Sequence, residues 1–290
     1  MRVLIIGASG LVGGQIFHYL CAQGWEVVGT HLSYPTDYTQ FYDTLGQTVA
    51  DNTAAAFLEP APDVIVHCGA LTHVDYCETH QAESYTKTVE STLHLITLAQ
   101  QHNARLVYIS SDYVFDGTDG PYRETAIPRP LNVYGQHKLA AEQAVAASGL
   151  AHLIVRITNV YGDELRRKNF VCRLIDSTLR DSHLRLPVDQ YATPVNAADV
   201  ARVIYLLLRD DREGLYHVGS TDYCNRYQLA ARVIGAIPNS TTTLKPVTTD
   251  QLNQPALRPL HGGLLSSRFV SEYPDFLFTN VDDYLKSKLT

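Results

Sequence analysis

Three groups of residues in this chain of 290 residues have the types and spacing needed for redox chemistry on a carbonyl or an alcohol. Tyr134 and Lys138 stand four positions apart, so a helix would place them on one face. Ser111 closely follows the apolar run 105–109, and a glycine-rich turn lies at Gly7–Gly13. Each signal is weak alone. In this order they favour hydride transfer with a nicotinamide dinucleotide.

Tyr134 is the residue expected to handle the proton that accompanies the hydride. A free tyrosine has a pKa near 10, which is too high for efficient acid–base work at neutral pH. A neighbouring ammonium favours the phenolate, so we expect Lys138 to lower the pKa of Tyr134 and also to hold the nicotinamide ribose. Ser111 ends a strand at the edge where such sheets bind ligands, and its hydroxyl would contact the substrate oxygen. An isolated Tyr-x-x-x-Lys pair is more often an ordinary surface pair, but the accompanying motifs favour catalysis.

The glycine turn is expected to receive the dinucleotide pyrophosphate. One glycine allows a tight turn, one lets the backbone approach the ligand, and one lets the helix pack closely. The free N–H groups of the following helix would then face the phosphates. The expected dinucleotide contacts are Gly7, Ser9, Gly10, Leu11, Val12, Gly13, Thr30, His31, Ser33, Asp51, Asn52, Cys68, Gly69, Ala70, Tyr134 and Lys138.

The end of the second strand bears on the choice between NADPH and NADH. An acid there would bind the ribose 2′-hydroxyl, but the segment 29–33 contains none. Thr30, His31 and Ser33 could instead bond to a 2′-phosphate. The sequence therefore predicts NADPH as the cofactor, with NADH possible.

Strands and helices alternate through the first half of the chain. Apolar runs predict strands at 3–6, 26–30, 63–67, 105–109 and 152–156, and helical patterns cover 11–23, 80–102 and 131–148. Such alternation predicts an α/β fold with a doubly wound parallel sheet of the Rossmann type. The pattern loosens afterwards, so we expect a dinucleotide-binding domain with the catalytic Tyr/Lys at 1–160. Residues 161–290 would be mainly a smaller substrate-binding lobe, with some elements returning to the main sheet.

Composition excludes several classes of partner. The net charge is −7 without a long basic run, which argues against nucleic acid and anionic membranes. No signal peptide and no apolar run long enough to span a membrane is visible, so we expect a cytoplasmic protein, either a monomer or a homodimer. The histidines lack metal-ligand spacing, so we expect no metal site.

Longer motifs carry a resemblance to a family. They are the glycine turn, Ala70–Asp75, Ile109–Gly117, Pro130–Lys138, Asn169–Phe170, Asp189–Pro194 and Arg258–Pro259. With them the chain resembles extended short-chain dehydrogenases/reductases, and more closely dTDP-4-dehydrorhamnose reductase and its relatives. The resemblance covers nearly the whole chain and implies an NAD(P)H-dependent reductase of a keto sugar nucleotide, most similar to enzymes acting on dTDP-4-dehydrorhamnose.

The resemblance also assigns roles to residues. It implies that Ser111, Tyr134 and Lys138 form the catalytic triad. Val74, Tyr113, Asn159 and Arg258 match positions on the substrate side. Asn159 replaces a tryptophan that is frequent in the family, which leaves the identity of the sugar open.

Two other functions remain open at this point. Some relatives bind the dinucleotide as regulatory subunits of another enzyme. Sugar-nucleotide epimerases and dehydratases are also similar, but the dehydratases carry a glutamate where this chain has Tyr113. Without that glutamate, removal of a proton next to a keto group is harder to arrange.

Overall fold

A parallel sheet of seven strands carries the functional residues. The computed structural model describes residues 1–46, 58–178 and 182–289. Its strands are β1 (Arg2–Ile6), β2 (Glu26–His31), β3 (Thr39–Phe41), β4 (Val64–His67), β5 (Arg105–Ser111), β6 (His152–Ile157), β7 (His183–Pro187), β8 (Tyr191–Ala192), β9 (Gly214–Val218), β10 (Cys224–Asn225) and β11 (Thr243–Val247). The sheet order is β3-β2-β1-β4-β5-β6-β9, and every neighbouring pair is parallel. The strand order reverses between β1 and β4, where ligands bind in such sheets.

Helices cover both faces of this sheet. They are α1 (Leu11–Ala22), α2 (Val74–Thr79), α3 (Gln81–Tyr85), α4 (Ser91–His102), α5 (Val133–Ala147), α6 (Phe170–Ser177), α7 (Ala197–Arg209), α8 (Arg226–Gly235), α9 (Ser267–Glu272) and α10 (Val281–Leu289). A π-helical turn, Thr86–Glu90, joins α3 to α4. The doubly wound α/β fold predicted from the sequence is confirmed.

The strands alternate their side chains between two cores. Val3 and Ile5 of β1 belong to the core shared with α1 and α7, whereas Leu4 and Ile6 belong to the core under α4 and α5. Strands buried on both faces need continuous apolar runs, and this is why the sequence shows runs rather than alternation.

A third core, separate from these two, lies in the second half of the chain. It joins Val171 of α6, Leu229 of α8 and Val281 of α10. Beside it β7 pairs with β11 in parallel and β8 with β10 antiparallel. From the same half of the chain, β9 adds to the main sheet and α7 packs on α1.

Some local expectations were wrong. The strands predicted from apolar runs include none in the stretch 237–267, which contains β11 and a 3₁₀ turn at Thr249–Leu252. The helix expected at 80–102 changes to the π form in its middle. No helix in the described ranges combines the length and hydropathy that a membrane crossing demands. Within the same ranges no three His, Cys, Asp or Glu side chains gather as a metal site would require.

Candidate active site

Ser111 is the last residue of β5 and opens the site at the carboxyl edge of the sheet. Its Oγ donates to Asp112 Oδ1 at 3.3 Å and accepts from the backbone N–H of Tyr113 at 3.2 Å. The side chain therefore caps the short 3₁₀ turn that follows the strand. This fixes the hydroxyl at the strand end, with Asp112 as the partner that a substrate oxygen would replace.

Helix α5 brings Tyr134 and Lys138 to the same edge. Asn132 caps the helix by accepting from Gly135 N–H at 2.9 Å. A Cβ at Gly135 would lie 2.1 Å from the Tyr113 carbonyl oxygen, so only glycine lets α5 approach the 3₁₀ turn after β5 this closely. Ser111, Tyr134 and Lys138 together are called the Ser-Tyr-Lys cluster below.

Lys138 is buried, and its ammonium group contacts the backbone of β5. Its Nζ donates to Ile109 O at 2.6 Å and lies 4.1 Å from the centroid of the Tyr108 ring. Burial lowers the pKa of Lys138 to about 7, although the nearby Glu142 carboxylate acts in the opposite direction. Keeping the amine of Lys138 protonated in this buried position therefore costs free energy.

Tyr134 is held in its neutral form. Burial raises the pKa of its phenol above the usual value, and the Ser111 hydroxyl opposes this only in part. The expectation that Lys138 would lower the pKa of Tyr134 is therefore wrong for this structure. Burial is the largest influence on the pKa of Tyr134, and the Nζ of Lys138 is bonded to Ile109 O. A neutral phenol is the form that can donate a proton to a carbonyl oxygen.

The glycine turn presents an open helix N-terminus. Gly10 caps α1 without a side-chain hydrogen bond, and the first turn carries no acid. Gly7 has φ +82°, and a Cβ there would crowd Gly69 N at 3.1 Å. A Cβ at Gly13 would lie 2.3 Å from Gly7 O, so this glycine allows helix and turn to pack. Free N–H groups, with no carboxylate in the first turn of the helix itself, fit a dinucleotide pyrophosphate.

The other residues expected around the dinucleotide are distributed unevenly. Ser9, Gly10 and Leu11 line a cavity of about 490 Å³, whereas Val12 packs against the core. Cys68, Gly69 and Ala70 follow directly after β4.

The end of β2 differs from the arrangement inferred from sequence. Thr30 is buried and donates to Ile5 O at 3.1 Å, so its hydroxyl faces the sheet rather than a ligand. His31 Nδ1 shares a hydrogen bond with Thr39 Oγ1 at 2.9 Å, and Ser33 is exposed. Asp51 and Asn52 lie outside the described residues.

A second group of side chains adjoins the Ser-Tyr-Lys cluster, where the Tyr113 ring contacts that of Tyr134. Asp112, Tyr113, Asn159 and Arg226 line a small cavity of about 20 Å³, called the arginine pocket below. Arg226 Nη2 donates to Asn159 Oδ1 at 2.6 Å, and its guanidinium lies 4.7 Å from the Phe170 ring centroid. Asn159 has φ +39°, a conformation that asparagine tolerates better than most residues.

Tyr113 and Asp112 join the arginine pocket to the Ser-Tyr-Lys cluster. The rings of Tyr113 and Tyr134 meet edge to face with centroids 5.5 Å apart. Asp112 Oδ2 accepts from Thr158 Oγ1 at 2.6 Å and from Gly263 N–H at 3.3 Å. Burial raises the pKa of the Asp112 carboxyl, and these hydrogen bonds counteract the effect. Sequence reasoning gave no role to Asp112 or Arg226.

Val74 is the first residue of α2, and Arg258 contacts the next residue of that helix, Asp75. Arg258 Nη2 forms an ion pair with Asp75 Oδ2 at 2.7 Å, and its side chain is largely buried. Asp75 Oδ1 also accepts from Ala256 N–H at 3.2 Å. Val74 is half-buried as the first residue of the helix. The ion pair connects the segment around Arg258 to helix α2.

Comparisons with known proteins identify the family of this chain. A family model described as the RmlD substrate binding domain matches residues 1–277. The beta subunit of methionine adenosyltransferase 2 from Bos taurus is 32% identical over 274 residues, which cover 92% of this chain and 81% of that one. A probable low-salt glycan biosynthesis reductase from Haloferax volcanii is 29% identical over 89% of this chain and 88% of its own.

Solved structures similar to this chain include dTDP-4-dehydrorhamnose reductases. A dTDP-4-dehydrorhamnose reductase from Clostridium acetobutylicum aligns over 100% of both chains, with TM-score 0.86 and 27% identity. The corresponding enzyme from Bacillus anthracis, solved in complex with NADP, has TM-score 0.86 and 26% identity over 99% of this chain and 97% of that one. With a family match that spans nearly the whole sequence, this chain belongs to the RmlD substrate binding domain family.

Proposed function

We propose that the protein is an oxidoreductase that reduces the keto group of a sugar nucleotide with NADPH, with Tyr134 as the proton donor. The observation that carries the proposal is the Ser-Tyr-Lys cluster, where a neutral phenol and a serine hydroxyl meet at the carboxyl end of β5. The open N-terminus of α1 lies at the same edge of the sheet, as hydride transfer from a bound dinucleotide requires.

Each residue of the cluster has a separate task. The dinucleotide supplies the hydride, which goes to the carbonyl carbon, and Tyr134 gives its proton to the carbonyl oxygen to complete the alcohol. Ser111 donates to the same oxygen once its hydroxyl turns from Asp112. Lys138 holds the nicotinamide ribose below Tyr134.

Substrate recognition is assigned to the arginine pocket and to Val74. Sugar nucleotides are anionic, and Arg226 offers a guanidinium that is bonded to the neutral Asn159. Asn159 in place of an aromatic side chain leaves a more polar wall. A substrate similar to dTDP-4-dehydrorhamnose, with further polar groups near this wall, fits best.

A regulatory role is the second candidate. It is favoured by the likeness to the methionine adenosyltransferase beta subunit, which exceeds 30% identity over most of both chains. Under this alternative the chain would bind a dinucleotide without turnover. The intact Ser-Tyr-Lys cluster supports the reductase instead, and Tyr113 at the position of the dehydratase glutamate argues against dehydration.

A turnover assay separates these functions. NADPH absorbance is followed with a panel of dTDP-, GDP- and UDP-linked keto sugars, using Tyr134→Phe as the matched control. Oxidation of NADPH by the native protein but not by the variant supports the reductase. Tight binding of NADPH without oxidation by any sugar contradicts it and supports the regulatory role.

A further inference from the structure

The loop between β6 and α6 returns to the glycine turn. Gln15 of α1 donates its Nε2 hydrogen to Asp163 O at 3.0 Å. Asp163 and Glu164 line the 490 Å³ cavity together with Ser9 and Gly10. A segment far away in sequence therefore forms one wall of the expected dinucleotide site.

Arg166 in this loop points to the end of β2. Its guanidinium carbon lies 5.0 Å from the ring centroid of Tyr34, three positions after the last residue of β2. The Nε atom is shielded from solvent and has no hydrogen-bond partner among the described residues. Within the same ranges Arg166 takes part in none of the ion pairs.

A partly buried cation without an acceptor is unfavourable, and an anionic ligand would remove the penalty. The geometry indicates where that anion would be. In dinucleotide-binding folds of this type the adenosine ribose 2′ position faces the end of β2, and an arginine there accommodates a 2′-phosphate. Tyr34, against which Arg166 stacks, belongs to that segment.

The loop itself is held in place. The Glu164 carboxylate accepts from the N–H groups of Lys168 and Asn169, both at 2.9 Å. The adjacent Arg167 is already bonded to Asp176, with 3.1 Å from its Nε to either carboxylate oxygen. Arg167 and Arg166 thus differ in two respects: Arg167 has an acidic partner and lines the 490 Å³ cavity, whereas Arg166 has no acidic partner among the described residues and lies beside Tyr34, outside that lining.

We infer that Arg166 is the residue that binds the 2′-phosphate of NADPH, so that cofactor choice is determined from the loop after β6 rather than from β2. The inference rests on the proposed dinucleotide-dependent function. It explains how the chain can prefer NADPH although its second strand ends without an arginine and Thr30 faces the sheet.

The test compares ligands with and without the 2′-phosphate on matched variants. Dissociation constants are measured for NADPH, NADH, 2′,5′-ADP and 5′-AMP with the native protein, Arg166→Gln and Arg167→Gln. Loss of a charge-assisted contact to phosphate weakens binding by roughly 10- to 100-fold. We expect a selective loss, for NADPH and 2′,5′-ADP but not for NADH or 5′-AMP, with Arg166→Gln, whereas Arg167→Gln, at a residue that lines the cavity, should change the binding of ligands with and without the 2′-phosphate alike. Arg166→Lys, which keeps the charge, should retain part of the preference, and thermal unfolding checks that all variants are folded.

Other results would overturn the inference. Equal loss for NADPH and NADH would mean that Arg166 contacts a part common to both cofactors. Equal effects of Arg166→Gln and Arg167→Gln would mean that only the overall charge matters. If the native protein bound neither dinucleotide, the proposed function itself would fail, and this outcome is distinct from the two before.

Discussion

The Ser-Tyr-Lys cluster and the arginine pocket meet at Asp112 and Tyr113 but are built differently. The cluster comes from the end of one strand and the first two turns of one helix, and backbone atoms hold Ser111 and Lys138. The pocket is assembled from a 3₁₀ turn, a loop residue at positive φ and the first residue of α8. The difference indicates that chemistry and substrate choice are carried by separable parts, so substitutions in one part should leave the other intact.

Tyr134→Phe tests the cluster most directly. Removal of the proton donor should lower turnover by ~10²–10⁴-fold, the usual contribution of a general acid. Cofactor affinity should stay within a few-fold because the ring remains. Steady-state kinetics and NADPH titration measure the two quantities, and Tyr113→Phe is the control on the pocket side. Turnover of Tyr134→Phe near the native rate would rule out its role as the acid.

Glu142→Gln tests how firmly α5 is held under the cluster. Glu142 accepts two hydrogen bonds from Arg156, at 2.9 and 2.6 Å, and both side chains are almost fully buried. Leaving the guanidinium unpaired should lower the free energy of unfolding by about 3–5 kcal/mol. Lys286→Gln, at the exposed pair with Asp283, should cost less than about 1 kcal/mol. Urea unfolding compares the two variants. Similar losses in the free energy of unfolding would show that the buried Glu142–Arg156 pair stabilises the protein no more than the exposed pair does.

Lys138→Met tests the cluster through pH. The pKa of Lys138 is about 7 in the folded protein, whereas the ordinary pKa of a lysine side chain is 10.5. Between these values the unfolded state binds more protons, so this group makes the folded state more stable as pH rises. The variant should lose a slope of up to about 1.4 kcal/mol per pH unit in this window, and it should be more stable than the native protein near pH 7.

The unfolding free energy of both proteins, measured by denaturant at several pH values from 6 to 10 (a range of about four units), gives the difference directly. The structure indicates that the Lys138 ammonium is desolvated. Parallel curves of unfolding free energy against pH for the two proteins would contradict this. Turnover of the variant should fall as well, since Lys138 is expected to hold the ribose.

Asn159→Asp should have the smallest effect and should act on the pocket alone. Aspartate has nearly the same shape and tolerates a positive φ, but its carboxylate would neutralise Arg226. An anionic substrate would then bind more weakly, by roughly tenfold in KM, with kcat little changed. A fall in kcat with an unchanged KM would show that pocket and cluster are not separable.

The sequence predicted the regular parts of the site well. The long apolar runs and helical patterns of β1, β5, α1 and α5 carry strong periodic signals, so the fold class followed from them, whereas the family resemblance depended on motifs such as Ile109–Gly117 and Pro130–Lys138. β3 has only three residues, and β7 and β11 pair across a large sequence separation, so no local signal marked them.

Contacts between residues that are distant in sequence explain the features of the site that the sequence did not predict. Thr30 lies at the expected strand end, but side-chain alternation along β2 turns it to β1. Arg226 and Arg166 reach their places through the fold, because their partners Asn159 and Tyr34 lie far away in sequence. The pKa of Tyr134 depends on how deeply the ring is buried. The sequence spacing between Tyr134 and Lys138 carries no information about that burial.

The packing of α7 against α1, with β9 at the sheet edge, has a consequence for synthesis on the ribosome. The glycine turn is made first, yet the apolar face of α1, with Ile16 and Leu20, is covered by Ile204 and Leu207 of α7. A nascent chain that ends before residue 197 would expose this face and leave β6 paired with β5 alone, without β9. We therefore expect the dinucleotide site to mature late in translation, and a fragment of residues 1–160 to need protection from aggregation.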